Sequence, residues 1–223
     1  MQRAIIPELL DTDSGTPAEV ADALSDLHNI NRWFGGVGTT KRMLRTVASR
    51  AGVSSLSLLE VAAGSASVPE ACRRGLGRSG LKIDITLLDR APSHMQNGTR
   101  AVAGDALALP FRDSSFDVVS STLFAHHLSP NELMAFFREA RRVCRHAVLI
   151  NDLIRHPLHL ALVYAGLPLF RSRITHHDAP ASVRQAYIPD EIRSLLSQSG
   201  VGQVQVSRRY LFRMGVIAWK NSL

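Results

Sequence analysis

Short apolar runs alternate with helical segments from residue 56 onward, and this alternation limits the possible folds more than any other feature of the sequence. Each run has the length and composition of a buried strand. The four clear runs are Leu56–Val61, Lys82–Leu88, Phe116–Ser121 and Ala147–Asn151, and Arg100–Ala103 is a weaker fifth. Parallel strands that are joined by helices are covered on both faces. The pattern therefore predicts an α/β fold with a mostly parallel sheet and helices on both faces.

Helix-start signals frame this alternation. Thr16, Pro17 and Glu19 form a capping-box pattern before one amphipathic segment, and Ser129, Pro130 and Glu132 repeat it between the third and fourth clear runs. A further helix, "TTKRMLRTVASRAG", ends at a glycine that suits a helix C-terminus. We expect residues 1–52 to form an N-terminal helical cap and residues 53–223 to form the sheet domain.

The C-terminal segment predicts one helix and two strands. "PDEIRSLLSQSG" is helical, and "VGQVQVS" and "FRMGVIAWK" follow it as strands. A parallel connection needs a crossover of a dozen or more residues, and these two strands are too close together for one. The two strands are therefore expected either to pair antiparallel or to belong to different places in the sheet.

Composition excludes several classes of protein. With 223 residues and 45% apolar residues, the chain fits one domain with a sizeable core. It begins without the pattern of a signal peptide and has no apolar run of membrane-spanning length, so we expect a soluble, cytoplasmic protein. The net charge of +7 is scattered, and no nucleic-acid partner is expected. The two cysteines lack a ligand spacing and are interpreted as reduced packing residues.

Acidic and small residues follow the apolar runs in an ordered way. Glu60 and the turn "AAGSAS" follow the first run, Asp89 the second, Gly104-Asp105-Ala106 the weak one, and "STLFAHHL" the third clear one. In an open parallel sheet the ligand lies at the carboxyl ends of the strands. A carboxylate can accept hydrogen bonds from ribose hydroxyls or from the adenine amine, and a turn of small residues lets the backbone approach a ligand closely. These strand ends indicate a nucleoside-containing ligand.

A dinucleotide is the alternative ligand. The G-x-G-x-x-G pattern would require Ala62, Gly64 and Ser67 to serve as its glycines, and two of the three positions fail. Glu60 would also repel a pyrophosphate, whereas a ligand that carries a cation would tolerate it. S-adenosylmethionine carries an amine and a sulfonium.

The motifs "LLEVAAGSAS", "ITLLDRAP", "AGDALALPFRDSSFDVV" and "STLFAHHLS" resemble those of class I S-adenosylmethionine-dependent methyltransferases. The resemblance is to the small-molecule branch that includes the ubiquinone and menaquinone biosynthesis enzymes, of methyltransferase type 11. It implies an enzyme with a Rossmann-like, seven-stranded sheet whose last strand is antiparallel. It also implies S-adenosylmethionine as the cofactor and S-adenosylhomocysteine as the product.

The resemblance assigns roles to individual residues. It implies that Glu60 and the turn from Ala62 through Gly64 to Ala66 hold the methionine part of the cofactor, and that Asp89 binds the ribose. It places Asp105 at the adenine amine and Ala106 at the ring. Arg90 and Thr122 complete the cofactor site that it implies. Ala62 and Ala66 stand where the family commonly has glycine.

Histidines supply the candidate base. Methyl transfer is a direct displacement in which the protein aligns the acceptor and, for a hydroxyl, removes a proton. His126 or His127 would lie at the mouth of the cofactor site, and His177, beside Asp178 in the predicted loop "THHDAPASVRQAY", would reach it from the substrate side. Neighbouring histidines rarely point at one ion, and no further ligand stands at a typical spacing, so no metal is expected.

The segment His156–Phe170 is apolar almost all round. A surface helix needs only one apolar face, so the other face must meet a lipophilic substrate, a partner subunit in a homodimer, or a membrane surface. We interpret it as a pocket wall within a helical substrate cover at about 155–187. Trp33-Phe34, before two glycines, is either a lid over the cofactor or the apolar end of a helix.

The sequence is compatible with three functions. The leading hypothesis is O-methylation of a small, largely apolar acceptor, an aromatic or polyketide-type hydroxyl of secondary metabolism. C-methylation of a quinol or phenol ring is the close alternative, because the same pocket would serve. The third is a catalytically weak S-adenosylmethionine-binding module of methyltransferase type.

Overall fold

A seven-stranded sheet organises the chain. The computed structural model describes residues 1–12, 14–90, 100–198 and 203–220. The strands are β1 (Ser55–Val61), β2 (Lys82–Asp89), β3 (Arg100–Ala103), β4 (Phe116–Thr122), β5 (Cys144–Leu153), β6 (Gln203–Arg209) and β7 (Arg213–Trp219). The helices are α1 (Pro17–Trp33), α2 (Gly36–Ala51), α3 (Ser67–Gly77), α4 (Pro130–Val143), α5 (Pro157–Gly166), α6 (Arg173–Gln185) and α7 (Pro189–Ser197). Short 3-10 turns cover Leu10–Thr12, Ala125–His127 and Leu167–Leu169.

The strand order β3-β2-β1-β4-β5-β7-β6 confirms the predicted sheet. The pairs from β3 to β5 are parallel, and β7 runs antiparallel to both of its neighbours, β5 and β6. The chain leaves β1 toward β2 on one side and enters β4 on the other. The carboxyl ends of β1 and β4 therefore flank a topological switch point, where open α/β sheets bind their ligands.

Helices cover the two faces of the sheet and bury separate apolar clusters. On one face, α2 packs against β5 and β7, and α3 against β2; this cluster includes Met43, Leu44 and Val47 of α2. On the other face, α4 packs against β4 and β5, and α7 against β6, around Phe136 and Phe137. The layered arrangement confirms the α/β class and leaves the carboxyl edge of the sheet to the remaining elements.

The predicted helix caps are present. Thr16 and Ser129 each accept a hydrogen bond from the backbone N–H three residues on, and the glutamate there accepts one from the backbone N–H of the cap residue. Gly52 ends α2 with φ +66°, the left-handed conformation that glycine adopts without strain.

The N-terminal segment and α6 cover the carboxyl edge of the sheet. The backbone N–H groups of Leu9 and Leu10 donate to the Asp178 carboxylate, and the Arg3 guanidinium donates to the carbonyl of Gln185. The loop that was expected over "THHDAPASVRQAY" is wrong for all but its last two residues, because residues 175–185 belong to α6, with Pro180 inside the helix. An interior proline costs a helix about 3 kcal/mol, and the contacts with the N-terminal segment offset that cost.

Among the described residues, no helix has both the length and the apolar character that crossing a membrane requires.

Candidate cofactor and acceptor site

A cavity of about 510 Å³ lies at the carboxyl ends of β1, β2 and β4. Its volume is in the range of small-molecule sites. All eight residues predicted at the cofactor site line it, namely Glu60, Ala62, Gly64, Asp89, Arg90, Asp105, Ala106 and Thr122. His126 and His127 line the same cavity, so the structure brings the predicted cofactor residues and two of the three predicted bases together.

The turn between β1 and α3 takes the conformation of a glycine-rich loop with two alanines in it. Ala62, Gly64 and Ala66 have φ values of +54°, +47° and +55°, all in the left-handed region. Ala66 caps α3 in this conformation. Ala62 and Ala66, where the resemblance implies glycine, therefore adopt a backbone conformation that glycine favours, at a cost in strain.

Relieving this strain should stabilise the protein. The Ala62→Gly variant is expected to raise the free energy of unfolding by about 1 kcal/mol, because the strain relieved at positive φ exceeds the added entropy of the unfolded chain. Ala63→Gly is the matched control, since Ala63 lies outside the left-handed region and should lose stability. Urea unfolding of both variants measures the difference. Equal losses of stability would show that Ala62 is unstrained.

Asp89 ends β2 and holds the turn in place. One oxygen of its carboxylate, Oδ2, accepts the N–H of Gly64 at 2.7 Å, and its backbone carbonyl accepts the N–H of Gly104. The carboxylate thus ties the β1 turn to the end of β2 at the edge of the cavity.

Asp105 presents a second carboxylate beyond β3. Its Oδ1 accepts the N–H of Leu107 at 2.9 Å and one N–H of Arg90 at 3.0 Å. The backbone hydrogen bond, with the help of Arg90, lowers the pKa of Asp105 below its usual value. Ala106 beside it is buried. A charged acceptor and a small apolar surface therefore lie side by side, as an adenine ring requires.

Glu60 is the buried carboxyl group of the site. It accepts hydrogen bonds from the hydroxyls of Ser120 and Thr122, which end the neighbouring strand β4. Burial raises the pKa of Glu60 to about 7, although these hydrogen bonds oppose the shift. A cationic ligand would favour its ionised form.

His126 lies buried between two carboxylates. Its Nδ1 is 2.7 Å from Oδ1 of Asp152, and its backbone N–H donates to the other oxygen of the same group. Its Nε2 is 3.5 Å from Oε1 of Glu8. Burial disfavours the charged ring, but the charge of Asp152 and the bonds to both carboxylates outweigh it and raise the pKa of His126 to about 10.

His127 is the more accessible ring, with 20% of its side chain exposed. Its Nδ1 is 3.0 Å from Oδ2 of Asp11, and its Nε2 is 3.9 Å from Oε2 of Glu8. The Glu8 carboxylate accepts hydrogen bonds from Ser182 and Gln185 of α6. We refer to Glu8, His126 and His127 as the Glu-His-His cluster; Glu8 and Asp11 have no sequence signal that would have identified them.

His177, the third predicted base, is not among the described residues that line the cavity. Its Nδ1 is 2.8 Å from Oδ1 of Asp178, and 44% of its side chain is exposed. Asp178 is itself engaged by the backbone of the N-terminal segment. The pairing with Asp178 is present as predicted from the sequence, but Asp178 and not His177 lines the cavity.

The apolar helix α5 reaches the cavity through Val163 and His159. Leu162 lines a second cavity of about 540 Å³, which Trp33 and Phe34 also line. The hydroxyl of Tyr164 accepts a hydrogen bond from Arg184. One side of α5 therefore forms part of the wall of the 510 Å³ cavity. Trp33 and Phe34 line the second cavity and are not among the residues that line the first.

Comparison with known proteins places this site in a family. Residues 59–150, from β1 to β5, match the model of the methyltransferase domain family. The matched range contains all the predicted cofactor residues and both histidines of the cluster. A search among curated proteins finds no match.

Solved structures share the fold. An S-adenosylmethionine-dependent methyltransferase from Aquifex aeolicus is 16% identical with a TM-score of 0.55, over 79% of this chain and 89% of that one. The plantazolicin methyltransferase BpumL, in complex with a pentazolic desmethylPZN analogue and S-adenosylhomocysteine, is 12% identical with a TM-score of 0.70, over 96% of this chain and 95% of that one. Human N-acetylserotonin methyltransferase, in complex with S-adenosylmethionine, is 16% identical with a TM-score of 0.56, over 86% and 58%.

The family match covers the strand ends that line the cavity, and the strand order of the whole sheet agrees with it. Residues 59–150 of the chain match the methyltransferase domain family, and the chain has the fold of S-adenosylmethionine-dependent methyltransferases.

Proposed function

We propose that the chain transfers the methyl group of S-adenosylmethionine to the oxygen of a small, largely apolar acceptor, an aromatic or polyketide-type hydroxyl. The observation that carries the proposal is the continuity of one cavity from Glu60, Asp89 and Asp105 to the Glu-His-His cluster. One end offers groups for a nucleoside and a cation, and the other offers groups that can take a proton.

The cofactor end matches the parts of S-adenosylmethionine. Glu60 would face the charged methionine part, Asp89 would accept the ribose hydroxyls, and Asp105 would accept the adenine amine. Structural relatives support this proposal, since the BpumL structure contains S-adenosylhomocysteine and the human enzyme contains S-adenosylmethionine. When bound, the cofactor supplies the methyl group to be displaced.

The cluster end would remove the proton of the hydroxyl. Asp11 can accept the Nδ1 proton of His127, which leaves Nε2 with a lone pair. His127 is thus held in the tautomer of a general base, while His126 is enclosed between Asp152 and Glu8. Carbon methylation of a quinol or phenol ring remains the alternative reaction, because the orientation of the acceptor would decide which atom is methylated.

Apolar side chains support a lipophilic acceptor. The cavity lining includes Leu24, Leu27 and Ile30 of α1, together with Val163 of α5. Residues 1–52 and the insertion at about 155–187 would accordingly form the acceptor side, and the sheet domain the cofactor side. The exposed side chains of Leu158 and Leu162 on α5 keep a homodimer as an alternative use of that helix.

The Val163→Asp variant tests the acceptor wall. We expect at least a tenfold fall in kcat/KM for lipophilic acceptors, because a carboxylate in an apolar lining must be desolvated. Binding of S-adenosylhomocysteine should not change. Tyr164→Ser is the matched control on the next residue of α5, which is not among the described residues that line this cavity. Full turnover by Val163→Asp with a smaller particle in gel filtration would instead favour the dimer interpretation of α5.

The function itself is tested in two steps. Calorimetric titration with S-adenosylmethionine and S-adenosylhomocysteine should show one site per chain. Mass spectrometry of phenolic and quinol acceptors after incubation should then show the gain of one methyl group, and NMR of the product would locate it on oxygen or carbon. Absence of cofactor binding would contradict the proposal, and binding without turnover of any acceptor would favour the catalytically weak module.

A further inference from the structure

We infer that Glu8, His126 and His127 form a binding site for one divalent transition-metal ion of the zinc type, with a coordination position open to the cavity. The inference reverses the expectation drawn from the sequence, where two adjacent histidines without a third ligand argued against a metal. The third ligand comes from the N-terminal segment, 118 residues before His126 in the chain.

The ligand atoms are already close together. One atom from each of the three residues lies within 4.8 Å of the others. The Nε2 atom of His126 is 3.5 Å from Oε1 of Glu8, and Nε2 of His127 is 3.9 Å from Oε2 of the same group. Ligands at about 2.0–2.1 Å from a tetrahedral ion are about 3.3 Å apart. Small side-chain movements are therefore enough to bring all three onto one ion.

Each ligand is oriented by a second residue. Asp152 lies 2.7 Å from Nδ1 of His126, and Asp11 lies 3.0 Å from Nδ1 of His127. Both rings can therefore donate their Nδ1 protons away from the cluster and turn the Nε2 lone pairs toward Glu8. The Glu8 carboxylate is fixed in turn by hydrogen bonds from Ser182 and Gln185. Histidine ligands of metals are typically held by carboxylates in this way, and carboxylate ligands by hydrogen bonds.

The buried Nε2 atom of His126 is an independent sign of a missing ligand. It makes no hydrogen bond of normal geometry to the described residues; its polar neighbour is Oε1 of Glu8 at 3.5 Å, and the ring is 2% exposed. Buried polar atoms of folded proteins are almost always satisfied. A metal ion at the centre of the cluster would satisfy this atom and would also bind the facing carboxylate.

The ligand set indicates the class of ion. Two imidazoles and one carboxylate suit zinc and its first-row neighbours, whereas magnesium and calcium prefer sites made of oxygen. Three protein ligands leave a fourth position, and all three residues line the cavity, so water or an acceptor oxygen would occupy it. The acceptor oxygen as fourth ligand rests on the proposed function. An acceptor hydroxyl bound to the ion would lose its proton more readily, so the ion, and not His127, would activate the acceptor.

Metal titration of the full chain tests the site. Protein that has been treated with a chelator and dialysed is titrated with Zn²⁺ by calorimetry, and with Co²⁺ by visible absorption. We expect one ion per chain and the ligand-field bands of a low-coordinate cobalt site. Glu8→Gln and His127→Gln should each weaken Zn²⁺ binding at least tenfold, and Asp11→Asn, which changes only the orienting carboxylate, should weaken it roughly 10- to 100-fold. An excess of Mg²⁺ should not displace the ion.

His177→Gln is the matched control, because His177 is also paired with a carboxylate but lies outside the cluster. It should bind Zn²⁺ as the unaltered protein does. Absence of a stoichiometric site, or equal affinity in the unaltered protein and in Glu8→Gln and His127→Gln that remain folded by circular dichroism, would overturn the inference. Titration of the same samples with S-adenosylhomocysteine separates the two proposals: its failure with Zn²⁺ binding intact would contradict only the proposed function.

Discussion

The Asp89→Ala variant is expected to lose most of its affinity for S-adenosylhomocysteine while it remains folded. The proposed role of Asp89 is to accept two hydrogen bonds from the ribose hydroxyls with a charged carboxylate. Hydrogen bonds to charged groups contribute about 1.5 to 3 kcal/mol each, so removal of both should weaken binding roughly 10²- to 10⁴-fold. Calorimetric titration measures the loss directly.

Three variants separate this role from others. Asp84→Ala removes a carboxylate from the same strand, where it pairs with Arg100, and should bind normally. Asp89→Asn keeps an oxygen that can accept the N–H of Gly64, and so tests charge apart from the structure of the turn. Asp105→Ala should lose less affinity than Asp89→Ala, because one neutral amine is its expected partner. The opposite order would show that the two carboxylates have exchanged roles, and unchanged binding by Asp89→Ala would refute the ribose assignment.

The Glu60→Gln variant is expected to be more stable without the cofactor and to bind it less well. Burial raises the pKa of Glu60 to about 7 from its usual 4.5, so folding at pH 8 carries a cost of about 3 kcal/mol for keeping this group ionised. A glutamine has the same shape, carries no charge, and can still bond the hydroxyls of Ser120 and Thr122. It would, however, lose the attraction to the charged part of the cofactor.

The difference in stability between Glu60→Gln and the unaltered protein should depend on pH. Below about pH 4.5 the carboxyl is neutral in both the folded and the unfolded chain, and the variant should match the unaltered protein. Between pH 4.5 and 7 only the unfolded chain ionises, so the unaltered protein loses stability relative to Glu60→Gln. Above pH 7 the difference should stay near its maximum. Urea unfolding across this range measures it, and a difference that is constant from pH 4 to 8 would contradict the raised pKa.

Local signals explain why much of the site could be predicted from the sequence. The carboxyl ends of parallel strands lie at one edge of a sheet. Glu60, Asp89 and Asp105 lie at or just after the ends of three successive strands, and they therefore line the same cavity. The position of the turn could also be predicted from the resemblance, which implies glycine where Ala62 and Ala66 stand. Both alanines adopt the positive φ that glycine favours. Both depend on residues next to a recognisable strand.

The acceptor side depends on long-range contacts that leave no local pattern. Glu8 belongs to a segment with little regular secondary structure, and nothing near it in sequence indicates that it faces His126 and His127. Helix α6 was predicted as a loop because Pro180 and the polar residues favour one. The hydrogen bonds that support the helix join it to Leu9, Leu10 and Glu8 near the other end of the chain: the first two donate to α6, and Glu8 accepts from it. Tertiary contacts outweighed local preference in both cases.

The contacts of Glu8 also set an order for biosynthesis. A ribosome makes Glu8 before its partners Ser182 and Gln185, which are 174 and 177 positions later in the chain. The residues of the cofactor end, from Glu60 to Thr122, emerge well before that. Because domains fold as their segments leave the ribosome, a growing chain can assemble the place for the methyl donor while the place for the acceptor is still in two unconnected pieces. Under the proposed function, competence for transfer would be acquired only after α6 has been synthesised.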